Sequence, residues 1–284
     1  MMLRFLSSAL GRCIFRFLTA LPAIWLCILP AGAADAVYTF SVVPQFERRT
    51  LFNIWQPIVD EIQRQTGQRF ELVTSLSVGD YDAEVRRGAY DFVYLNPYLM
   101  DSVAKQPGYI PLVHDGRPLH GIVIVRKDSP LLRAEDLQNK TLAVPALPAL
   151  AASLLVRAEL DRKHATRVSP VVVKTHSSVF MHVVNGLTDA GGTTEKLLLE
   201  QDPRIQGTLR VLFRTQGVPS HPIAAHQRVP AAVREQVKQA FRRMGDSPQG
   251  RELLARIPMQ EVKPVAIQEF QSIKELKLEH YLEQ

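Results

Sequence analysis

The 284 residues, 46% of them apolar and 22% charged, suffice for one large folded unit or two modest ones and exclude a disordered chain. The formal charge of +6 includes Arg4, Arg12 and Arg16 of an amino-terminal stretch expected to be removed. What remains is 6 minus 3, or +3, without the clustered Lys/Arg stripes of a nucleic-acid binder.

Residues 1–33 read as a secretory signal. Three arginines and no acids lead into an apolar core over 17–29, shorter than the roughly 20 residues that span a bilayer. Ala31-Gly32-Ala33 then supplies small residues for cleavage. Cys27 follows Trp25-Leu26, where a lipid-anchor signal wants small residues. Both cysteines, Cys13 and Cys27, would leave with the signal, which rules out disulfides, thiolate metal sites and a cysteine nucleophile in the mature chain. The expectation is a soluble, monomeric periplasmic protein.

From Val37 the alternation Tyr-Thr-Phe-Ser-Val-Val predicts a strand that stops at Pro44-Gln45-Phe46. Leu51, Ile54, Trp55, Ile58, Val59 and Ile62 then keep helical spacing up to Gly67, with Pro57 implying a kink or a fresh start. Residues 70–76 read as a strand and 80–87 as a short helix closed by Gly88. Asp91-Phe-Val-Tyr-Leu-Asn-Pro-Tyr98 predicts a buried strand halted at Asn-Pro. Tyr94 and Asn96, two apart, would face one side of a cleft with a phenol and an amide. Strand, helix, strand, helix, strand implies a parallel sheet with crossovers.

Further strands are expected at 109–113, 121–125, 141–144, 168–174, 209–214 and 223–225. Helices are expected at 149–160, 178–185, from about 195, at 231–244 and 248–257, with a polar helical tail to 284. The polar breaks at 126–130 and 214–219 suggest two lobes joined by two connections. One lobe takes 34–126 plus 218–284 and the other 127–217. No internal repeat is evident.

His176-Ser177-Ser178 sits between a strand and a helix, where free N–H groups, a serine cap and the helix dipole suit an oxyanion. Plain N-capping by Ser177 or Ser178 explains it equally. Gly191-Gly192-Thr193-Thr194 repeats the arrangement at the next strand end, where open α/β sheets gather their ligands. Asp189, just before it, is either a ligand contact or a carboxylate bound to backbone amides. His114 with His120 and His176 with His182 are six apart, which does not place two rings on one helical face, so no metal and no cofactor is expected. There is no Gly-x-Ser-x-Gly elbow and no Walker pattern, so an enzyme has little support.

Several segments in order resemble the phosphate, phosphite and phosphonate binding proteins of ABC transporters. They are Pro44 with the Trp-x-Pro-Ile-Val-Asp-Glu-Ile helix and Thr66-Gly67, Tyr-Asp-Phe-Val-Tyr-Leu-Asn-Pro-Tyr, Ile-Val-Ile-Val-Arg-Lys-Asp-Ser, Glu-Asp-Leu-Gln-Asn-Lys, His-Ser-Ser-Val and Thr-Asp-Ala-Gly. The resemblance implies an α/β, two-lobe periplasmic binding fold, each lobe a mostly parallel sheet flanked by helices, with the ligand cleft between them. It places Tyr94, His176, Ser177 and Asp189 at matching positions. One departure stands out: the serine/threonine-rich turn after 144 is replaced by Pro145-Ala-Leu-Pro-Ala-Leu-Ala-Ala-Ser153, leaving Ser153 as the nearest hydroxyl. The expected ligand-binding set is Gln45, Tyr94, Asn96, Ser153, His176, Ser177, Ser178, Asp189 and Thr193. The partners expected are a small oxyanion and an inner-membrane ABC permease, or a membrane sensor kinase in a signalling variant of the same fold. Specificity is expected from hydroxyls and backbone amides, since no lysine or arginine stands out at a strand end.

Overall fold

The computed structural model describes residues 36–257 and 259–282, so the expected signal segment lies outside the described residues. In chain order the elements are β1 (Val37–Val42), α1 (Arg48–Thr66), β2 (Arg69–Val73), α2 (Val78–Arg86), β3 (Phe92–Tyr94), α3 (Pro97–Lys105), β4 (Tyr109–Asp115) and β5 (Ile122–Arg126). They continue with β6 (Thr141–Val144), a wide π-type turn of helix at Leu150–Leu155 running into α4 (Val156–His164), β7 (Ser169–Val172), α5 (His176–Val184), β8 (Ala190–Thr193), α6 (Glu195–Leu199) and α7 (Pro203–Thr208). The chain closes with β9 (Leu209–Arg214), β10 (Ile223–His226), α8 (Ala231–Asp246), α9 (Pro248–Leu254), β11 (Val262–Pro264) and α10 (Ile267–Glu275). Among the described residues no helix is long and apolar enough to cross a membrane.

The strands form two sheets, ordered β11-β4-β10-β3-β1-β2 and β7-β6-β8-β5-β9. In the first, β2, β1 and β3 run parallel and β10 lies antiparallel against β3. In the second, β7, β6 and β8 run parallel and β5 lies antiparallel against β8. Each sheet is thus mixed: beyond its three parallel strands, β4 pairs antiparallel with β10 and β11 in the first and β9 antiparallel with β5 in the second, and β10 and β5 each arrive from the far side of a crossing.

The helix α1 forms where the sequence predicts it, burying Leu51, Trp55, Ile58, Val59 and Ile62 and ending at Gly67 in the left-handed region (φ 68°). It continues through Pro57 rather than restarting. Against its buried face lie Phe40, Phe92 and Tyr94, so the centre of the first lobe is aromatic.

One expectation about the chain path is corrected. Ile122–Arg126 belongs to the second sheet, so the first crossing is the segment 116–121 and not 126–130. The polar run Arg126-Lys-Asp-Ser-Pro130 is a surface turn held by Ser129 N–H donating to the Arg126 carbonyl and by the Arg126–Asp128 ion pair. The second crossing joins β9 to β10. The two crossings pair: Leu119 and Val218 exchange N–H···O bonds of 2.8 and 3.0 Å.

A repeat invisible in the sequence also emerges. Thr39 donates its N–H and hydroxyl to Asp91 and accepts from the Asp91 N–H. Thr141 and Asp189 repeat all three bonds in the second lobe. Each clasp ties the central strand to the start of its parallel neighbour, at the end remote from the crossings' cleft.

Gly191 and Gly192 are interior to β8 rather than a turn. A Cβ on Gly192 would lie 1.9 Å from the Ala152 carbonyl oxygen, and one on Gly121 would lie 2.0 Å from that of Ala151. These glycines admit the turn at 149–153 against the sheet. Gly192→Ala should therefore lower stability by roughly 1–3 kcal/mol through overpacking, read as a shift of the urea midpoint. An unshifted midpoint would contradict this packing.

Candidate ligand-binding cleft

The parallel strands β1, β3, β6, β7 and β8 all point their carboxyl ends at the space between the sheets, where ligands of open α/β folds collect. A cavity of about 690 Å³ occupies that space. Its wall takes Val43–Phe46 after β1, Asn96 after β3, Pro145 and Ala146 after β6, Lys174 and His176 after β7, and Thr194 after β8. The crossings add Asp115, 117–120, Ser220 and His221.

The polar centre of the cleft is built on two histidines. His176, the first residue of α5, is 9% exposed, and its Nδ1 lies 3.2 Å from the Thr193 hydroxyl. His221 stacks on Tyr94, ring centroids 5.2 Å apart and planes within 24°, while Tyr94 packs on Trp55 at 4.8 Å. Gln45 Nε2 reaches His221 Nε2 at 3.4 Å. Burial lowers the His176 pKa to about 4. Burial, with His176 adding to it, lowers that of His221 to about 3. Both imidazoles are neutral at pH 7. The Tyr94 hydroxyl and His221 Nδ1 are enclosed and make no hydrogen bond. Burial, with the Asp115 carboxylate as a lesser cause, raises the Tyr94 pKa, so the phenol keeps its proton as a donor.

Of the expected ligand set, Gln45, Asn96 and His176 line the cavity. Tyr94 and Thr193 lie directly behind His221 and His176. Asn96 is already engaged: its Nδ2 donates to the Pro148 carbonyl of the opposite lobe at 2.9 Å and its Oδ1 caps α3 by accepting from Tyr98 N–H.

Four expectations are corrected. Ser153 is buried inside its helical turn, accepting from Arg157 Nε at 3.1 Å. Ser177 is exposed, and Ser178 bonds back to Thr175, which is the true cap of α5. Asp189 belongs to the clasp with Thr141 at the far end of β8. For Ser178 and Asp189 a nearer backbone or hydroxyl partner satisfies the group first.

The sequence reading missed Lys174 and His221. Lys174 follows β7 in the left-handed region (φ 72°), lines the cavity and makes no ion pair among the described residues. A glycine or asparagine is the usual occupant of such a backbone, so a lysine there carries no pattern to detect. His221 sits in Pro-Ser-His-Pro, which reads only as a break. The cleft does offer a charged group, contrary to the expectation of hydroxyls and amides alone. Further donors come from the first N–H groups of the helical run beginning at Leu150 and of α5. Among the described residues no cluster of His, Asp or Glu side chains is placed to hold a metal ion.

Solved structures share this architecture. The binding-protein component of an ABC phosphonate transporter from Pseudomonas aeruginosa superposes with a TM-score of 0.74 at 16% identity, over 86% of each chain. PhnD1 of Prochlorococcus marinus in complex with methylphosphonate gives 0.76 at 12%, over 88% of this chain and all of that one. A Xanthomonas citri protein bound to ATP gives 0.69 at 18%, over 87% and 99%. The family model described as ABC transporter, phosphonate, periplasmic substrate-binding protein matches residues 40–270, and the chain belongs to that family.

Proposed function

We propose that the protein is a periplasmic receptor, not an enzyme, that encloses a solute with an oxyanion head of phosphate, phosphite or phosphonate type and delivers it to an ABC permease of the inner membrane. The observation that carries the reading is the pair of neutral histidines at the strand ends, backed by unengaged donors and by Lys174. A neutral imidazole donates through one nitrogen and accepts through the other, which suits an anion whose own protonation changes near neutral pH. Helix amino termini add partial positive charge without a bulky cation. The lobes would pivot about the paired crossings and squeeze water from the cleft, strengthening each of these contacts.

A thermal-shift screen with phosphate, phosphite, methylphosphonate, sulfate and acetate tests this. A ligand at a hundred times its Kd should stabilise the fold by about 2.7 kcal/mol. A response to acetate with none to the phosphorus compounds would refute the proposal. Tyr94→Phe and His176→Ala should each weaken binding while leaving a folded protein by circular dichroism; collapse of either would make them core residues only.

The pH dependence has a defined sign. With both histidines depressed below their ordinary 6.5, the unfolded chain takes up protons that the folded chain refuses. Stability of the unliganded protein is then full above about pH 6.5 and falls as the pH drops towards 4. In a His176→Gln/His221→Gln double variant that decline should flatten, as followed by urea unfolding at stepped pH.

A further inference from the structure

The cleft is larger and greasier than a bare phosphorus oxyanion needs. At about 690 Å³ it lies within the 300–1,000 Å³ range of sites for drug-sized molecules. The lobes touch on more than one side of this volume. Asn96 Nδ2 donates to the Pro148 carbonyl at 2.9 Å, Lys196 Nζ donates to the Ala255 carbonyl at 2.7 Å, and Phe46 packs against the cores of both lobes.

Part of the wall beyond the histidines is apolar. The turn after β6 presents Pro145, Ala146 and Leu150 to the cavity. On α6, Leu199 lines the cavity and is 66% exposed. Phe46 packs on the cluster that contains Leu197, so the two lobes contribute hydrocarbon to one region.

The charges of the wall are mostly spent on each other. Arg117 pairs with Asp115 at 3.0 Å, Arg214 with Glu195 at 2.5 Å and Lys196 with Glu200 at 2.6 Å. Lys174 and Arg256 are the cavity cations without an ion pair among the described residues. That suffices for one anionic head and not for a chain of phosphates.

Resting on the receptor reading above, we infer that the solute is an organic phosphonate or phosphate monoester whose head sits at His176, His221 and Lys174 and whose alkyl or aryl body fills the Phe46–Leu199 side of the cleft. Calorimetric titration of the purified protein with inorganic phosphate, methylphosphonate, hexylphosphonate, phenylphosphonate and phenyl phosphate tests it. The last two probes separate a carbon–phosphorus bond from an ester. The hexyl or phenyl compounds should bind at least about tenfold more tightly than methylphosphonate, as burial of several additional carbons requires. Leu199→Ser, at an exposed position, should erase several-fold of that gain, narrowing the ratio of the methylphosphonate Kd to the hexylphosphonate Kd. Methylphosphonate or phosphate binding as tightly as the larger anions overturns this inference and leaves the receptor reading standing. Failure of all five to bind overturns both.

Discussion

The paired crossing at Leu119 and Val218 is the constraint on which the rest depends. Two chain segments that exchange backbone hydrogen bonds fix how the two sheets face each other, and so bring the ends of five parallel strands to one space. The cluster around Val123 is filled from its own lobe, whereas that around Phe40 also takes in Leu150, Leu154, Leu155 and Ala158 from the helical run after β6. The cleft is therefore a property of the crossings, and its contents are a property of the strand ends.

Within the cleft the same physics acts twice. Desolvation keeps His176 and His221 uncharged and keeps the Tyr94 phenol protonated, so the site holds its donors without self-repulsion. Aromatic stacking of Trp55, Tyr94 and His221 then fixes the imidazole's orientation from below. Such a centre loses little freedom when a ligand arrives, because its side chains are already held by packing.

Much of the architecture was legible because periodicity reports burial. The helix at Arg48–Thr66 and the strand ending at Tyr94 could be read from apolar spacing and from Asn-Pro. Chain path was less legible. A charged run such as Arg126–Pro130 marks exposure, and exposure alone does not tell an interlobe link from a surface turn; Gly116 and Gly121, which bracket the real crossing, gave no stronger signal. At the site, His176, Gln45 and Tyr94 were accessible from position after a strand. Ser153, Ser178 and Asp189 were misplaced because short polar side chains satisfy themselves locally, a preference that only three-dimensional neighbours reveal. The Thr–Asp repeat escaped notice since Phe-Val-Tyr and Ala-Gly-Gly share no composition, although both follow the clasping aspartate.

The twin clasps, Thr39 with Asp91 and Thr141 with Asp189, sit at the base of each sheet and do not line the cleft. Strand alignment is thereby locked at one end while binding is decided at the other. Evolution can rewrite the rim without asking the scaffold to re-register. A lineage of such receptors can drift from one cargo to another while its foundations stay put.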